Sequence, residues 1–317
     1  MCTSLTYTNR TDQHFFARTM DFPTTTPWRP SFLPRQQHWT TGLNDERVTQ
    51  QAILGGGRLP IGIDNFLMAD GINESGISCA ELYLPHAVHY EPAAQAGQLN
   101  LTPQDFINWV LGEHTSLDAV SHDLPRVRLV NQTWHDEPYV YPFHWVLSDQ
   151  TGQTLVIEPT GGPLTAQVNP SGVLTNTPVL EKHFENLNRL LGVNGATINV
   201  DTKKAAQHWL QSAQPLPTGS IPTNRFNHMA IRRLGTPKLS TEQTIPTLFT
   251  WLNEVRLPYD PAKRHQISHN YTHYRSVIDL DRHQYYFRPR TTERLQVIPL
   301  TTEMAQQWQT PVVFSAD

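Results

Sequence analysis

At 317 residues, 38% of them hydrophobic and 16% charged, the chain is long enough to bury a sizeable core and too apolar to be disordered. A net charge of -4, with no run of Lys or Arg, argues against a nucleic-acid or anionic-membrane partner. No window reaches the roughly 18 apolar residues of a membrane span. Asn9, Arg10, Asp12, Gln13 and Arg18 interrupt any secretory apolar run near the N-terminus, so the expectation is a cytoplasmic protein.

In chain order, Thr3 to Thr8, His14 to Met20, Ile61 to Met68 and Gly76 to Leu84 read as strands, because short alternating or β-branched runs are divided there by Gly, Pro, Asn and Asp. Helix signals follow. Thr102 is an N-cap candidate ahead of Pro103 and an amphipathic stretch through Leu111, and Ser116 opens a shorter one. Phe143 to Leu147 and Thr154 to Ile157 form the next hairpin. From Leu180 to Leu191, Leu180, Phe184, Leu187 and Leu191 share one face, with Gly192 as a natural stop. Lys203 to Leu210 and Ser240 to Val255 are further helices, the latter with a Ser240/Gln243 capping box and a disruptive Pro246. Tyr274 to Ile278 and Tyr285 to Arg288 make a late hairpin, and Leu295 to Leu300 a last strand. Strands, then helices, then strands without β-α-β alternation predict an α+β fold of antiparallel sheets covered by helices. The 25 prolines are dispersed, so residues 1–317 read as a single domain.

Chemistry concentrates at the N-terminus. Removal of Met1 would leave Cys2 carrying a thiol and a free α-amine on one skeleton. Their ordinary pKa values, about 8.5 and about 7.7 to 8.0, let the amine take the thiol proton near neutrality and later return it to a leaving amine. A hairpin centred near Arg10 pairs Cys2 with Arg18, at the roughly 4.5 to 5.5 Å Cβ separation of opposed residues, where the guanidinium can stabilise a thiolate. Asp21, just beyond, is placed to hold the α-ammonium. An ordinary Arg/Asp pair on a surface hairpin is the competing reading.

Met1-Cys2-Thr3, Ala17-Arg18-Thr19-Met20-Asp21-Phe22, Asp70-Gly71-Ile72-Asn73-Glu74-Ser75-Gly76 and Leu174-Thr175-Asn176-Thr177-Pro178 together resemble the choloylglycine hydrolase family of bile salt hydrolases and penicillin V acylases. Asn224-Arg225-Phe226, Thr272-His273-Tyr274 and Tyr285-Tyr286-Phe287 extend the resemblance, in order, along nearly the whole chain. The resemblance implies an N-terminal-nucleophile hydrolase: a four-layer αββα sandwich, a homotetramer, no cofactor, no metal, and a small-molecule amide substrate. It implies that Cys2 attacks the amide carbonyl, Arg18 and Asp21 tune the thiol and amine, Asn176 donates to the oxyanion, and Arg225 completes the charged frame. The resemblance also implies that the backbone of Tyr83 takes the second oxyanion position. Bile salt hydrolases usually carry Asn there and penicillin V acylases Tyr, which turns the expectation toward aromatic or fatty-acyl amides. Leu216-Pro217-Thr218-Gly219-Ser220 departs from the family's usual Leu-Pro-Gly-Asp and leaves the path to Arg225 open.

Gly55-Gly56-Gly57 lacks the Lys of a phosphate loop and reads as a flexible turn. His265, His269 and His273 could ligate a metal only on a helix, where the sequence instead runs toward the late hairpin. Cys79 reads as a buried, inert thiol, with no disulfide to Cys2. Three functions stay open: an acylase for aromatic or fatty-acyl amides, a bile salt hydrolase releasing glycine or taurine, and a binding protein that has lost turnover.

Overall fold

The computed structural model describes residues 2–23, 27–58, 65–263, 266 and 269–315. The first half supplies strands β1 (Thr3–Thr8), β2 (His14–Phe22), β3 (Arg29–Leu33), β4 (His38–Thr40), β5 (Glu46–Val48), β6 (Ile53–Arg58), β7 (Leu67–Asn73), β8 (Ser78–Tyr83) and β9 (Leu99–Leu101). Helices α1 (Asp105–Glu113) and α2 (Leu117–Asp123) separate these from β10 (Val127–Leu129), β11 (Phe143–Ser148), β12 (Thr154–Ile157), β13 (Gln167–Val168) and β14 (Val173–Leu174). Four helices follow, α3 (Leu180–Leu191), α4 (Val200–Gln211), α5 (Pro222–Gly235) and α6 (Thr241–Glu254). The chain closes with β15 (Tyr271–Asp279), β16 (Gln284–Pro289), β17 (Gln296–Pro299), α7 (Thr302–Gln307) and β18 (Val312–Val313).

Two antiparallel sheets stack face to face. One has six strands in the order β14-β1-β2-β15-β16-β17, the other eight in the order β13-β12-β11-β8-β7-β6-β3-β18. Helix α1 packs on β7 and β8, while α5 and α6 pack on β1, β2 and β15, so the layers run helix, sheet, sheet, helix. Because each sheet is covered on both faces, β1 and β7 are buried almost end to end instead of alternating with solvent. The inter-sheet core gathers Phe16, Leu54, Ile72, Leu82 and Ile278, and a second core under α1 gathers Met68, Cys79, Phe106, Trp109 and Trp145.

Eight of the nine expected strands and all five expected helices lie near where the sequence places them, half of the strands and helices α5 and α7 were not foreseen, and the local departures have physical causes. Thr102 does not cap α1: the helix begins after Gln104, and Thr102 donates its amide and hydroxyl to Asp105 Oδ2 at 2.8 and 2.7 Å, closing a turn ahead of it. Gly55-Gly56-Gly57 is not a turn but the middle of β6. A Cβ on Gly56 would stand 2.4 Å from Tyr274 Oη and 2.8 Å from Tyr285 Oη, so the bare backbone admits two tyrosines from the facing sheet. Of the strand expected at Ile61 to Met68, residues 61–64 lie outside the described residues, Asn65 and Phe66 are not strand, and β7 starts at Leu67 and runs on to Asn73. His265 likewise lies outside them. His273 stands in β15 with Nε2 at 2.9 Å from Phe22 O, and among the described residues no three His, Cys, Asp or Glu side chains converge as a metal site would require.

Candidate active site

Hairpin β1–β2 turns through Asn9, whose Oδ1 accepts from the amides of Thr11 and Gln13, both at 3.0 Å. This turn is centred on Thr11 rather than Arg10, so Arg18 pairs with Ser4 and not with Cys2. The correction is two residues, which keeps every side chain on its expected face. Arg18 therefore reaches diagonally, and its Nη2 donates to Cys2 Sγ at 3.0 Å.

The guanidinium is fully buried and held on its other edges. Nη1 donates to Ala69 O at 2.5 Å, Nε to Thr19 O at 3.2 Å, and Asp70 Oδ2 lies 3.6 Å from Nε. Asp70 in turn accepts from the hydroxyls of Tyr274 and Tyr285, both at 2.6 Å. Burial alone would weaken the guanidinium as a base, but the charges of Cys2, Tyr274, Asp70 and Glu81 more than offset it and raise its pKa above the usual arginine value. Asp70, Tyr274 and Tyr285 were not among the residues expected at the site, although all three sit inside the motif stretches quoted for the family resemblance.

Asn176 arrives from the opposite side of Cys2. β14 pairs antiparallel with β1, Leu174 against Ser4, and extending that register sets Asn176 opposite Cys2. The amide of Cys2 donates to Asn176 Oδ1 at 2.7 Å, and Arg225 Nη2 donates to the same oxygen at 2.7 Å. Two obligate donors on one atom fix the amide orientation, leaving Nδ2 to donate to Tyr83 O at 2.7 Å. Arg225, one turn into α5, also donates from Nη1 to Cys2 O and Thr3 Oγ1, both at 2.6 Å. The departing loop at Leu216 to Ser220 is seated after all, with Ser220 O accepting from Arg225 Nε at 3.1 Å and Thr218 O from Asn224 Nδ2 at 2.8 Å. Behind Asn176, its carbonyl meets His183 Nε2 at 2.8 Å, and Thr175 O meets His144 Nε2 at 3.0 Å.

Asp21 lies just past Arg18 on β2, with its backbone oxygen 3.6 Å from Cys2 Sγ. Its carboxylate accepts from Thr272 at 2.6 Å and Thr19 at 3.0 Å. Burial pushes its pKa up, against the pull of Arg225 and of these hydroxyls.

Tyr83 ends β8 where the sheet opens. β7 and β8 pair only from Asp70 with Ala80 to Ile72 with Ser78 and then diverge. On the other edge Leu84 N donates to Pro142 O at 2.6 Å, so by strand alternation the N–H of Tyr83 points away from β11, to the same side as its Asn176-bonded carbonyl. All six expected residues, Cys2, Arg18, Asp21, Tyr83, Asn176 and Arg225, thus meet at one place. Beside them opens a narrow cavity walled by Phe22, Trp28, Tyr83, Tyr141 and Phe143. Cys79, by contrast, is buried in the α1 core, where desolvation drives its thiol pKa well up.

The model of the linear amide C–N hydrolases, choloylglycine hydrolase family, matches residues 2–313. The chain belongs to the choloylglycine hydrolase family. As a member it is an amide hydrolase. Among curated relatives, the bile salt hydrolase/transferase of Clostridium perfringens is 28% identical over 96% of this chain and 93% of its own. The conjugated bile acid hydrolase of Lactobacillus gasseri is 26% identical over 90% and 92%. The fold matches crystal structures of the Clostridium perfringens conjugated bile acid hydrolase, at a TM-score of 0.84 and 24% identity over 100% and 97% of the two chains. It also matches penicillin V acylase from Agrobacterium tumefaciens, at a TM-score of 0.72 and 20% identity over 98% and 90%. The αββα layering is therefore the fold that these two structures share with this chain.

Proposed function

We propose that this member of the choloylglycine hydrolase family cleaves aromatic or fatty-acyl amides through an acyl-thioester on Cys2. The observation that carries the reading is the pair of contacts on Cys2, Arg18 Nη2 on the sulfur at 3.0 Å and Asn176 Oδ1 on the nitrogen at 2.7 Å. Once Met1 is gone, that nitrogen is an α-amine, able to take the thiol proton as sulfur attacks the carbonyl. Arg18 gives the charge on sulfur a partner. The tetrahedral oxyanion is received by the second N–H of Asn176 Nδ2 and by the backbone N–H of Tyr83. Collapse breaks the C–N bond as the ammonium returns its proton to the leaving amine, and Asp21 supplies the counter-charge that keeps that ammonium in place. Water, deprotonated by the same amine, then hydrolyses the thioester and regenerates the thiol.

Tyr83 favours a flat acyl group, because its ring joins those of Phe22, Tyr141 and Phe143 along the cavity. A bile salt hydrolase is the second reading, favoured by the names of the curated relatives. Product release from penicillin V, a long-chain acyl homoserine lactone, glycocholate and taurocholate, assayed in parallel with the Met1-processed enzyme, separates the two. Preference for either of the first two supports aromatic or fatty-acyl amides, and dominant bile-salt cleavage reverses that choice. An acyl adduct on the N-terminal peptide, found by mass spectrometry after rapid quenching, tests the thioester; adducts elsewhere refute Cys2.

A further inference from the structure

The acyl cavity is not uniformly apolar. Among its lining residues, Glu81, Gln104 and Trp28 are 5%, 1% and 5% exposed, and each carries a buried polar atom with no hydrogen-bond partner among the described residues: Glu81 Oε2, both side-chain polar atoms of Gln104, and Trp28 Nε1. Buried polar groups are normally satisfied, and one such orphan would be unremarked. Four on residues that wall one cavity beside the proposed nucleophile, from β8, the start of α1 and the approach to β3, mark that wall as short of polar partners.

The neighbours narrow what those atoms are. Arg58 is engaged with Asp136 at 2.9 Å and with Glu137, so the cavity's cation is committed. Glu81 can accept a hydrogen bond, Trp28 can only donate one, and Gln104 can do both. An ammonium group would satisfy Glu81 but oppose the indole N–H, the amide N–H groups and the nearby positive charge of Arg18. A carboxylate would meet Glu81 as a second acid. A hydroxyl both donates and accepts, and it suits all three. Burial also drives the Glu81 pKa well up, against Arg18 and with Cys2, which further disfavours recognition of a cation there.

We infer that Glu81, Gln104 and Trp28 form a specificity subsite for a hydroxyl carried on the acyl group, set back from the scissile carbonyl on an otherwise apolar body. The inference rests on the reading of Cys2 as nucleophile with its acyl group in this cavity. A hydrocarbon acyl group would leave all four polar atoms without a partner, the situation in which polar sites reject analogues most strongly.

The test uses matched amides of one amine: phenoxyacetyl against its three ring-hydroxylated isomers, decanoyl against 3-hydroxydecanoyl, and glycine-conjugated steroids differing by one ring hydroxyl. On at least one scaffold the hydroxylated member should have a kcat/KM about tenfold or more above its partner. In Glu81→Leu and in Gln104→Met that ratio should fall below 1, with thermal melting used to confirm that each variant is folded. Equal rates within every pair, or a ratio unmoved by both variants, overturns the subsite while leaving Cys2 catalysis standing. If no amide is cleaved, the catalytic reading fails separately, and calorimetry of Cys2→Ala with the free acids decides the subsite. About tenfold tighter binding of a hydroxylated acid, lost in the Cys2→Ala/Glu81→Leu double variant, supports it. Equal or absent binding, preference for an amino-substituted acid, or an ordered water that keeps bridging Glu81 and Gln104 beneath a bound acid rejects it.

Discussion

Arg225 and Asn176 share one hydrogen bond, Nη2–H to Oδ1 at 2.7 Å, that determines which way the asparagine amide faces. Asn176→Ala should lower kcat about 10²- to 10³-fold with little change in KM, as expected for a donor used mainly in the transition state. Asn176→Asp should do no better, since a carboxylate cannot donate. A loss under fivefold in either variant would remove Asn176 from the oxyanion site.

Cys2→Ser should abolish nearly all turnover while leaving the melting temperature close to that of the parent. An alcohol of far higher pKa then stands where the thiol stood, in a site whose other contacts run to the backbone of residue 2. Retained turnover would take Cys2 out of the mechanism.

Asp70→Asn leaves Arg18 buried with its carboxylate partner gone. Removing one member of a buried charge pair costs about 3 to 5 kcal/mol, so the urea midpoint should drop sharply and activity with it. An unchanged midpoint would mean that Ala69 O, Thr19 O and the tyrosine hydroxyls suffice to hold the guanidinium.

Gly56→Ala tests the packing behind that pair. The added methyl would meet Tyr274 Oη and Tyr285 Oη well inside contact distance, displacing the two hydroxyls that bind Asp70. Overpacking of this kind costs about 1 to 3 kcal/mol. Both stability and kcat should fall, although residue 56 is not itself one of the residues that wall the cavity.

His183 gives the fold an acid-side limit. Burial, opposed by its bond to Asn176 O, lowers its pKa to about 4, against about 6.5 in an unfolded chain. Above pH 6.5 it is neutral in both states and exerts no pH effect. As pH falls from 6.5 toward 4, the unfolded chain takes up the proton first, and about 3 kcal/mol of stability is lost. Urea titrations across that range should show a shallower decline for His183→Asn than for the parent; identical slopes would assign the acid sensitivity elsewhere.

The sequence was readable where side chains alternate. β1, β2, the Phe143 to Ile157 hairpin and α3 lie close to the positions their apolar spacing predicts. The residue set of the site was readable through its motifs, and the two-residue error in the β1–β2 register did no harm because a shift of two preserves the face. Three things were hidden. β6 has glycines where a pattern would need side chains. Helix α5 buries Arg225, Asn227 and His228, polar residues that blur the amphipathic signal by which helices are found. Asp70 makes sense only beside Arg18, Tyr274 and Tyr285, and that meeting is created by the stacking of two sheets, not by spacing along the chain.

That stacking divides the site between two bodies. Cys2, Arg18 and Asp21 ride on one sheet, and Ala69, Asp70 and Tyr83 on the other. A molecule in which the sheets have begun to part retains a thiol, but Arg18 has lost its buried partners and Asn176 has lost the Tyr83 carbonyl. With Cys2 as the proposed nucleophile, reactivity would then belong to the fully closed protein alone, and a half-opened chain would be a poor nucleophile toward bystander amides.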